Sequence, residues 1–121
     1  MTKNFKLEEF QCKCGCEMPQ EVFSNIIKLA SQLQILRDYL GRPVRVNSAY
    51  RCEQHNKKVG GSPNSQHLLG KAADIVVDSL KPAEVYAVIN DLIDMGIMLQ
   101  GGLGKYDTFT HYDIRKKKAR W

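Results

Sequence analysis

The sequence predicts an α+β domain in which helices pack on a small, mostly antiparallel sheet. Three observations carry that expectation. Two stretches repeat apolar residues at helical spacing, several short segments read as strands, and the two kinds of element do not alternate regularly along the chain. With 121 residues, 43% of them apolar, the chain is long enough for one compact domain around one ordinary core. No linker, repeat or low-complexity segment interrupts it, so residues 1–121 are expected to form a single domain.

The first element is the clearest. Val22, Ile26, Leu29, Ala30, Leu33, Leu36 and Leu40 recur at helical spacing after Pro19 and before Gly41 and Pro43, which predicts one long amphipathic helix. Val44-Arg45-Val46-Asn47-Ser48 alternates apolar and polar residues and reads as a short strand. From Ala49 to Leu69 the periodicity is lost, and Gly60-Gly61-Ser62-Pro63-Asn64 clusters turn formers in what reads as a long irregular connection. Loops of that length in a small domain usually carry function. Ala72 to Val77 then reads as a buried strand, and Lys81 to Met95 as a second amphipathic helix with Pro82 in its first turn and Gly96 at its end. Gly102 to Tyr106 and Phe109 to Ile114 complete the sheet as two strands joined by a tight Asp107-Thr108 turn.

The formal net charge is +5, which suits anionic surroundings such as nucleic acid, acidic lipid or the anionic polymers of a bacterial wall. Nucleic acid is the poorest of these. The basic residues are scattered, Lys116-Lys117-Lys118 being the one run, and no platform of interleaved aromatics accompanies them. No window approaches the roughly 18 apolar residues that span a membrane, and Met1 to Lys6 hold no apolar stretch of signal-peptide length. A soluble chain, cytoplasmic as synthesised, is the expectation.

Cys12, Cys14, Cys16 and Cys52 do not read as a secreted disulfide framework, because three of them crowd at alternate positions. Their spacing also departs from the Cys-x-x-Cys pairs of zinc ribbons. A structural zinc, reduced thiols and one disulfide all stay open.

A zinc hydrolase needs three His or carboxylate ligands on rigid elements, with a further position left for water. Few residues here can supply them. His67 ends the long loop, Asp74 interrupts the apolar strand Ala72 to Val77, and His111 lies in a late strand between Phe109 and Tyr112. A carboxylate in such a strand is costly to bury unless it is paired or bound to metal. Taken singly, each has an ordinary reading, as a hydrogen-bonded core histidine or a strand aspartate facing water.

The tract Ser65-Gln66-His67-Leu68-Leu69-Gly70-Lys71-Ala72-Ala73-Asp74 resembles the Ser-x-His-x-x-Gly-x-Ala-x-Asp signature of the zinc D-Ala-D-Ala carboxypeptidases. Their relatives include the vancomycin-resistance dipeptidases, the L-alanyl-D-glutamate endolysins and, in fold, the hedgehog signalling domain. Ser48-Ala49-Tyr50-Arg51 resembles the family's Ser-x-x-Arg segment, Val59-Gly60-Gly61 its following turn, and His111-Tyr112-Asp113 its third-ligand strand. The likeness covers most of residues 44 to 115; the N-terminal cysteine tract has no part in it.

The resemblance implies a hedgehog-like or DD-peptidase-like fold, zinc held by His67, Asp74 and His111, and Arg51 at the substrate carbonyl or the oxyanion. An arginine keeps its charge at every relevant pH, so it can oppose charge that develops on a tetrahedral intermediate. Relatives place an acidic residue or His just before the third ligand. Here Thr108 stands at that distance and Asp107 one step beyond, so Asp107 is the candidate general base. Asp113, at a two-residue strand spacing from His111, should share its face and either orient His55 or His111 or simply cap the sheet edge. His55 reads as a structural hydrogen-bonding residue, while Tyr50 and Tyr112 could line either groove or core.

The function implied is zinc-dependent hydrolysis of peptidoglycan peptides, either as a D-Ala-D-Ala carboxypeptidase or as an endolysin-like endopeptidase released to the wall by a phage lysis system. The alternative is a catalytically inactive zinc domain that binds wall peptide or a protein partner. A monomer is expected, with no nucleic acid and no membrane insertion.

Overall fold

The structure, a computed structural model, describes residues 1–121. A 3-10 turn at Leu7–Phe10 precedes α1 (Gln20–Leu40), β1 (Val44–Ser48) and α2 (Glu53–Lys58). A second 3-10 turn, Gln66–Leu69, leads into β2 (Ala72–Val77), followed by α3 (Pro82–Asp94), β3 (Gly102–Lys105), β4 (Thr110–Asp113) and β5 (Ala119–Arg120). The architecture is α+β, as the sequence predicts. The sheet order is β1-β2-β4-β3-β5, antiparallel throughout except for the parallel β3–β5 pair.

Both long helices lie where their apolar spacing puts them. Helix α1 buries Val22, Ile26, Leu29, Ala30, Leu33 and Leu36, and it stops at Gly41, whose φ of 63° takes the left-handed conformation that caps a helix. Helix α3 opens on Pro82, which needs no hydrogen-bond partner in a first turn, and buries Val85, Ile89, Leu92 and Ile93. These faces meet Ala73, Ile75, Leu103 and Tyr112 of the sheet in one cluster. Leu33 is fully buried there, so Leu33→Ala should cost about 2–5 kcal/mol.

Strand alternation puts the chemistry on the opposite face. Ala73 pairs with Tyr112, and Tyr112 with Leu103, on the core side. One residue along, Ser48, Asp74, His111 and Gly104 form a continuous row across β1, β2, β4 and β3. The irregularity between Val46 and Ser48 sets the edge of that row, bringing Ser48 rather than Asn47 opposite Asp74.

Three features depart from expectation. The connection at 49–69 contains α2 and the second 3-10 turn, because Cys52 and Ser65 cap those turns by accepting N–H bonds from His55 and His67. Pairing in the β3–β4 hairpin ends at Lys105 and Thr110, so Tyr106 and Phe109 belong to the turn, where their rings stack at 4.5 Å. The short strand β5 is an addition to the expected sheet. Arg120 anchors it, donating to the carbonyl of Gly101 at 2.7 Å and to Asn90 Oδ1 at 2.9 Å.

Candidate metal centre

His67 is placed by the turn that its own segment caps, Asp74 by the middle of β2, and His111 by the strand beside it. All three are buried, and each directs one donor atom to a common point, with the donors within 4.8 Å of one another. His67 Nε2 lies 3.2 Å from Asp74 Oδ1, and His111 Nδ1 lies 3.0 Å from the same oxygen.

The other ring nitrogens decide what these contacts mean. His67 Nδ1 is 2.6 Å from the carbonyl oxygen of Ala49, and His111 Nε2 is 2.8 Å from Asp113 Oδ2. Both partners only accept, so both of those nitrogens carry the proton. In the neutral rings the lone pairs of His67 Nε2 and His111 Nδ1 then point at an anionic oxygen. Three electron-rich atoms converge, an arrangement that requires either protonated imidazoles or a cation among the donors. Zinc fits. Bonds of about 2.0–2.1 Å set tetrahedral ligand-to-ligand edges of about 3.3–3.4 Å, within a few tenths of the separations observed.

The surroundings reinforce the set. Burial alone would raise the Asp74 carboxyl, but hydrogen bonds from His111 and His67 outweigh it and hold the group well below the usual carboxylate range. Burial likewise disfavours charge on His111, yet its bonds to Asp113 and Asp74 dominate and raise its pKa. Asp113 is fully buried and accepts from Gly102 N–H at 2.8 Å, and from the Arg115 backbone, Nε and Nη2 at 3.1, 2.9 and 2.8 Å. It thus orients His111, one of the two roles its strand position suggested.

Arg51 reaches the same point from the loop. Its Nη2 is 3.3 Å from Asp74 Oδ2, with the side chain 15% exposed and that of Asp74 10%. Nε donates to Ser48 Oγ at 3.1 Å and Nη1 to Asn56 Oδ1 at 3.1 Å, while Asn56 itself is tied to the carbonyl of Ser62 at 2.9 Å. The arginine is therefore fixed, with its remaining N–H groups free to face the open cleft.

That cleft has a volume of about 610 Å³ and is lined by Arg51, His67, Asp74 and His111, with Gly60 to Ser62 and Asn64 to Gln66 along one wall and Tyr106, Phe109, Arg115 and Trp121 on the other. Trp121 carries no sequence signal for this position. Its indole lies 5.0 Å from the His111 ring and 5.3 Å below the Arg115 guanidinium. Gly104 makes room for it, since a Cβ there would stand 2.4 Å from the indole nitrogen.

Asp107 is not brought to the site. The turn carries it to an exposed position facing a separate hollow with Lys81, Pro82 and Ala83 at the start of α3. Strand alternation stops at Lys105, so the spacing from His111 does not set its direction. Asp74 is the only carboxylate that lines the cleft. His55 also stays out of the donor set, and its structural bond is made by its backbone N–H, 3.4 Å from Cys52 Sγ. Tyr50 and Tyr112 are both core residues, the Tyr112 hydroxyl donating to the carbonyl of Leu99 at 2.8 Å.

Zinc D-Ala-D-Ala carboxypeptidase of Streptomyces albus G is 38% identical over 53 residues, which are 43% of this chain and 21% of that protein. The chain therefore spans about a fifth of the relative it matches. Residues 3–113 match the family model described as Peptidase M15, and a match over that much of the sequence places the chain in the Peptidase M15 family.

Proposed function

We propose that this chain is a zinc metallopeptidase that hydrolyses a peptide bond in peptidoglycan peptides, with the ion held by His67 Nε2, Asp74 Oδ1 and His111 Nδ1. The observation that carries the reading is the convergence of these donors while both outer ring nitrogens are tied to acceptors. Zinc bound there supplies Lewis acidity toward a carbonyl and acidifies a water at neutral pH. Family membership and the matched carboxypeptidase support the peptidase assignment.

The chain's own residues supply the rest. Arg51 holds Asp74 by one nitrogen and presents the edge of a permanent cation to the cleft, where a carbonyl oxygen gaining charge would be opposed. Ser62, Asn64, Ser65 and Gln66 offer polar groups along one wall, suited to an extended peptide backbone. Trp121 and Phe109 offer apolar surface opposite, suited to the methyl groups of alanine residues. Arg115 adds positive charge, although its guanidinium is largely committed to Asp113.

A second reading is a zinc domain that binds these peptides without cutting them. One observation favours it: beyond Asp74, no carboxylate lines the cleft to act as general base. Mass analysis of purified peptidoglycan after incubation with the zinc-loaded chain separates the two. Loss of terminal D-alanine marks a carboxypeptidase, and a new amino terminus within the peptide marks an endopeptidase. Unchanged fragments, with peptide retained on the zinc-loaded chain, would assign the second reading.

A further inference from the structure

The zinc-peptidase reading leaves four cysteines unused, and the fold brings them together. Cys12, Cys14 and Cys16 follow the first 3-10 turn, and Cys52 caps the start of α2 some 40 positions later. Their four sulfur atoms lie within 4.8 Å of one another. Cys12 to Cys14 is 3.3 Å, Cys14 to Cys52 is 3.4 Å and Cys12 to Cys52 is 3.8 Å. All four thiols are free.

We propose that this cluster is a second metal site, a closed tetrahedral centre of four thiolates holding a structural zinc ion. Zinc–sulfur bonds of about 2.3 Å set sulfur-to-sulfur edges of about 3.8 Å, so the observed separations need little adjustment. Two backbone N–H groups already point at sulfur, that of Cys52 to Cys12 Sγ and that of His55 to Cys52 Sγ, both at 3.4 Å. Such bonds favour the anionic form that a metal requires. Gly15, at φ 83°, closes a turn by donating to the carbonyl of Cys12 at 3.0 Å, and the resulting bend lets sulfurs at alternate positions converge. Binding releases the thiol protons to solvent and leaves no position open for water, so the role is structural.

The consequence is positional. The ion ties the N-terminal segment to residue 52, next in sequence to Arg51. The backbone of Tyr50 already donates to the carbonyl of Phe10 at 3.1 Å across the same junction. A four-thiolate centre thus clamps the loop from which Arg51 reaches Asp74, without touching the cleft donors.

The test uses the full chain in reductant, loaded with cobalt(II), whose tetrahedral thiolate complexes show a sulfur-to-metal charge-transfer band that His and carboxylate ligands cannot produce. The unsubstituted chain should bind about two ions, and the variant His67→Ala/His111→Ala should keep about one together with the whole band. Cys14→Ser, at the exposed sulfur, should lower the band by about a quarter or more, as one thiolate of four is lost, while His67, Asp74 and His111 keep their ion. If Cys14→Ser does not fold, the band of the unsubstituted chain, saturating at about one cobalt per four thiols, decides the question. Four freely titrating thiols and no band in a folded, metal-exposed chain would overturn the proposal, as would a disulfide found by mass after purification without reductant or an undiminished band in Cys14→Ser. Loss of all metal from His67→Ala/His111→Ala with the band absent throughout would leave the peptidase site standing and remove this one.

Discussion

Asp74 and His111 stand directly opposite one another on antiparallel strands, and the carboxylate Oδ1 of one lies 3.0 Å from the imidazole Nδ1 of the other. Neighbouring strands thereby deliver two candidate ligands in a fixed register, and only His67 depends on a turn. Because the pair sits on the face opposite the helices, its placement follows from the same alternation that builds the core.

Removing either histidine should remove the metal without unfolding the sheet. His67→Ala or His111→Ala is expected to lower bound zinc by about one ion per chain. Circular dichroism should remain that of the parent. Metal analysis by elemental emission, on protein exchanged against a weak chelator, checks this, and unchanged zinc in both variants would show that the ligands lie elsewhere.

Arg51→Ala should retain zinc yet lower kcat about a hundredfold or more, by comparison with the loss of one oxyanion donor. Lysine should restore only part of the rate, since it cannot serve Ser48, Asn56 and Asp74 together. Parallel assays of kcat, KM and zinc content check this. A rise in KM alone would mean that Arg51 only binds substrate.

Asp113→Asn keeps the shape of the residue but removes the charge that His111 Nε2–H and Arg115 face. Zinc affinity should fall about tenfold to a hundredfold, the usual effect of losing the partner of a metal-bound histidine. Competition with a fluorescent chelator measures it. Equal affinity would deny Asp113 its orienting role.

Without metal, stability should depend on pH in two opposing ways. His111 has a raised pKa in the fold, so its contribution is complete below about 6.5 and is lost as pH rises through the higher folded value. Asp74 and Asp113 have depressed values, so their contribution is complete above about 4 and is lost as pH falls further. The metal-free chain should therefore be most stable between these limits. Zinc, which competes with the proton at His111, should reverse the decline at higher pH. Melting temperatures measured from about pH 2 to 9, with chelator and with zinc, check both limbs.

Trp121 is the only tryptophan, so its fluorescence reports the cleft. Gly104→Ala should push the indole away from His111 and shift emission to the red, because the new methyl would occupy the space of the indole nitrogen. Zinc content should be unchanged. An unaltered spectrum would show that the indole does not depend on Gly104 for its place.

Much of the fold and the site is legible in the sequence because it is local. Helix α1 declares itself through the seven apolar residues that recur at helical spacing between Pro19 and Gly41, and Asp74 stands out because it interrupts an otherwise apolar strand. His67 and His111 are marked by their place in a motif, which fixes their order along the chain but not the tautomers that aim them. Those depend on the Ala49 carbonyl and on Asp113, contacts set by tertiary packing. Asp107 misleads because it precedes His111 at a short distance in sequence, while the direction of a turn residue is decided by where strand pairing ends. Trp121 escapes notice because it follows β5, which joins the sheet in parallel, and no local pattern announces a two-residue parallel strand. The cysteines are visible, but only the fold brings Cys52 to the other three.

The proposed role of zinc held by His67, Asp74 and His111 is to serve hydrolysis of peptidoglycan peptides. Its most direct test is the release of new amino groups from purified peptidoglycan by metal-free chain titrated with zinc, beside His111→Ala treated in the same way. Release should rise in proportion to zinc held at this site, stop with chelator, and be absent from the variant. Equal release by the variant, or none from the parent chain with the site filled, would contradict the account.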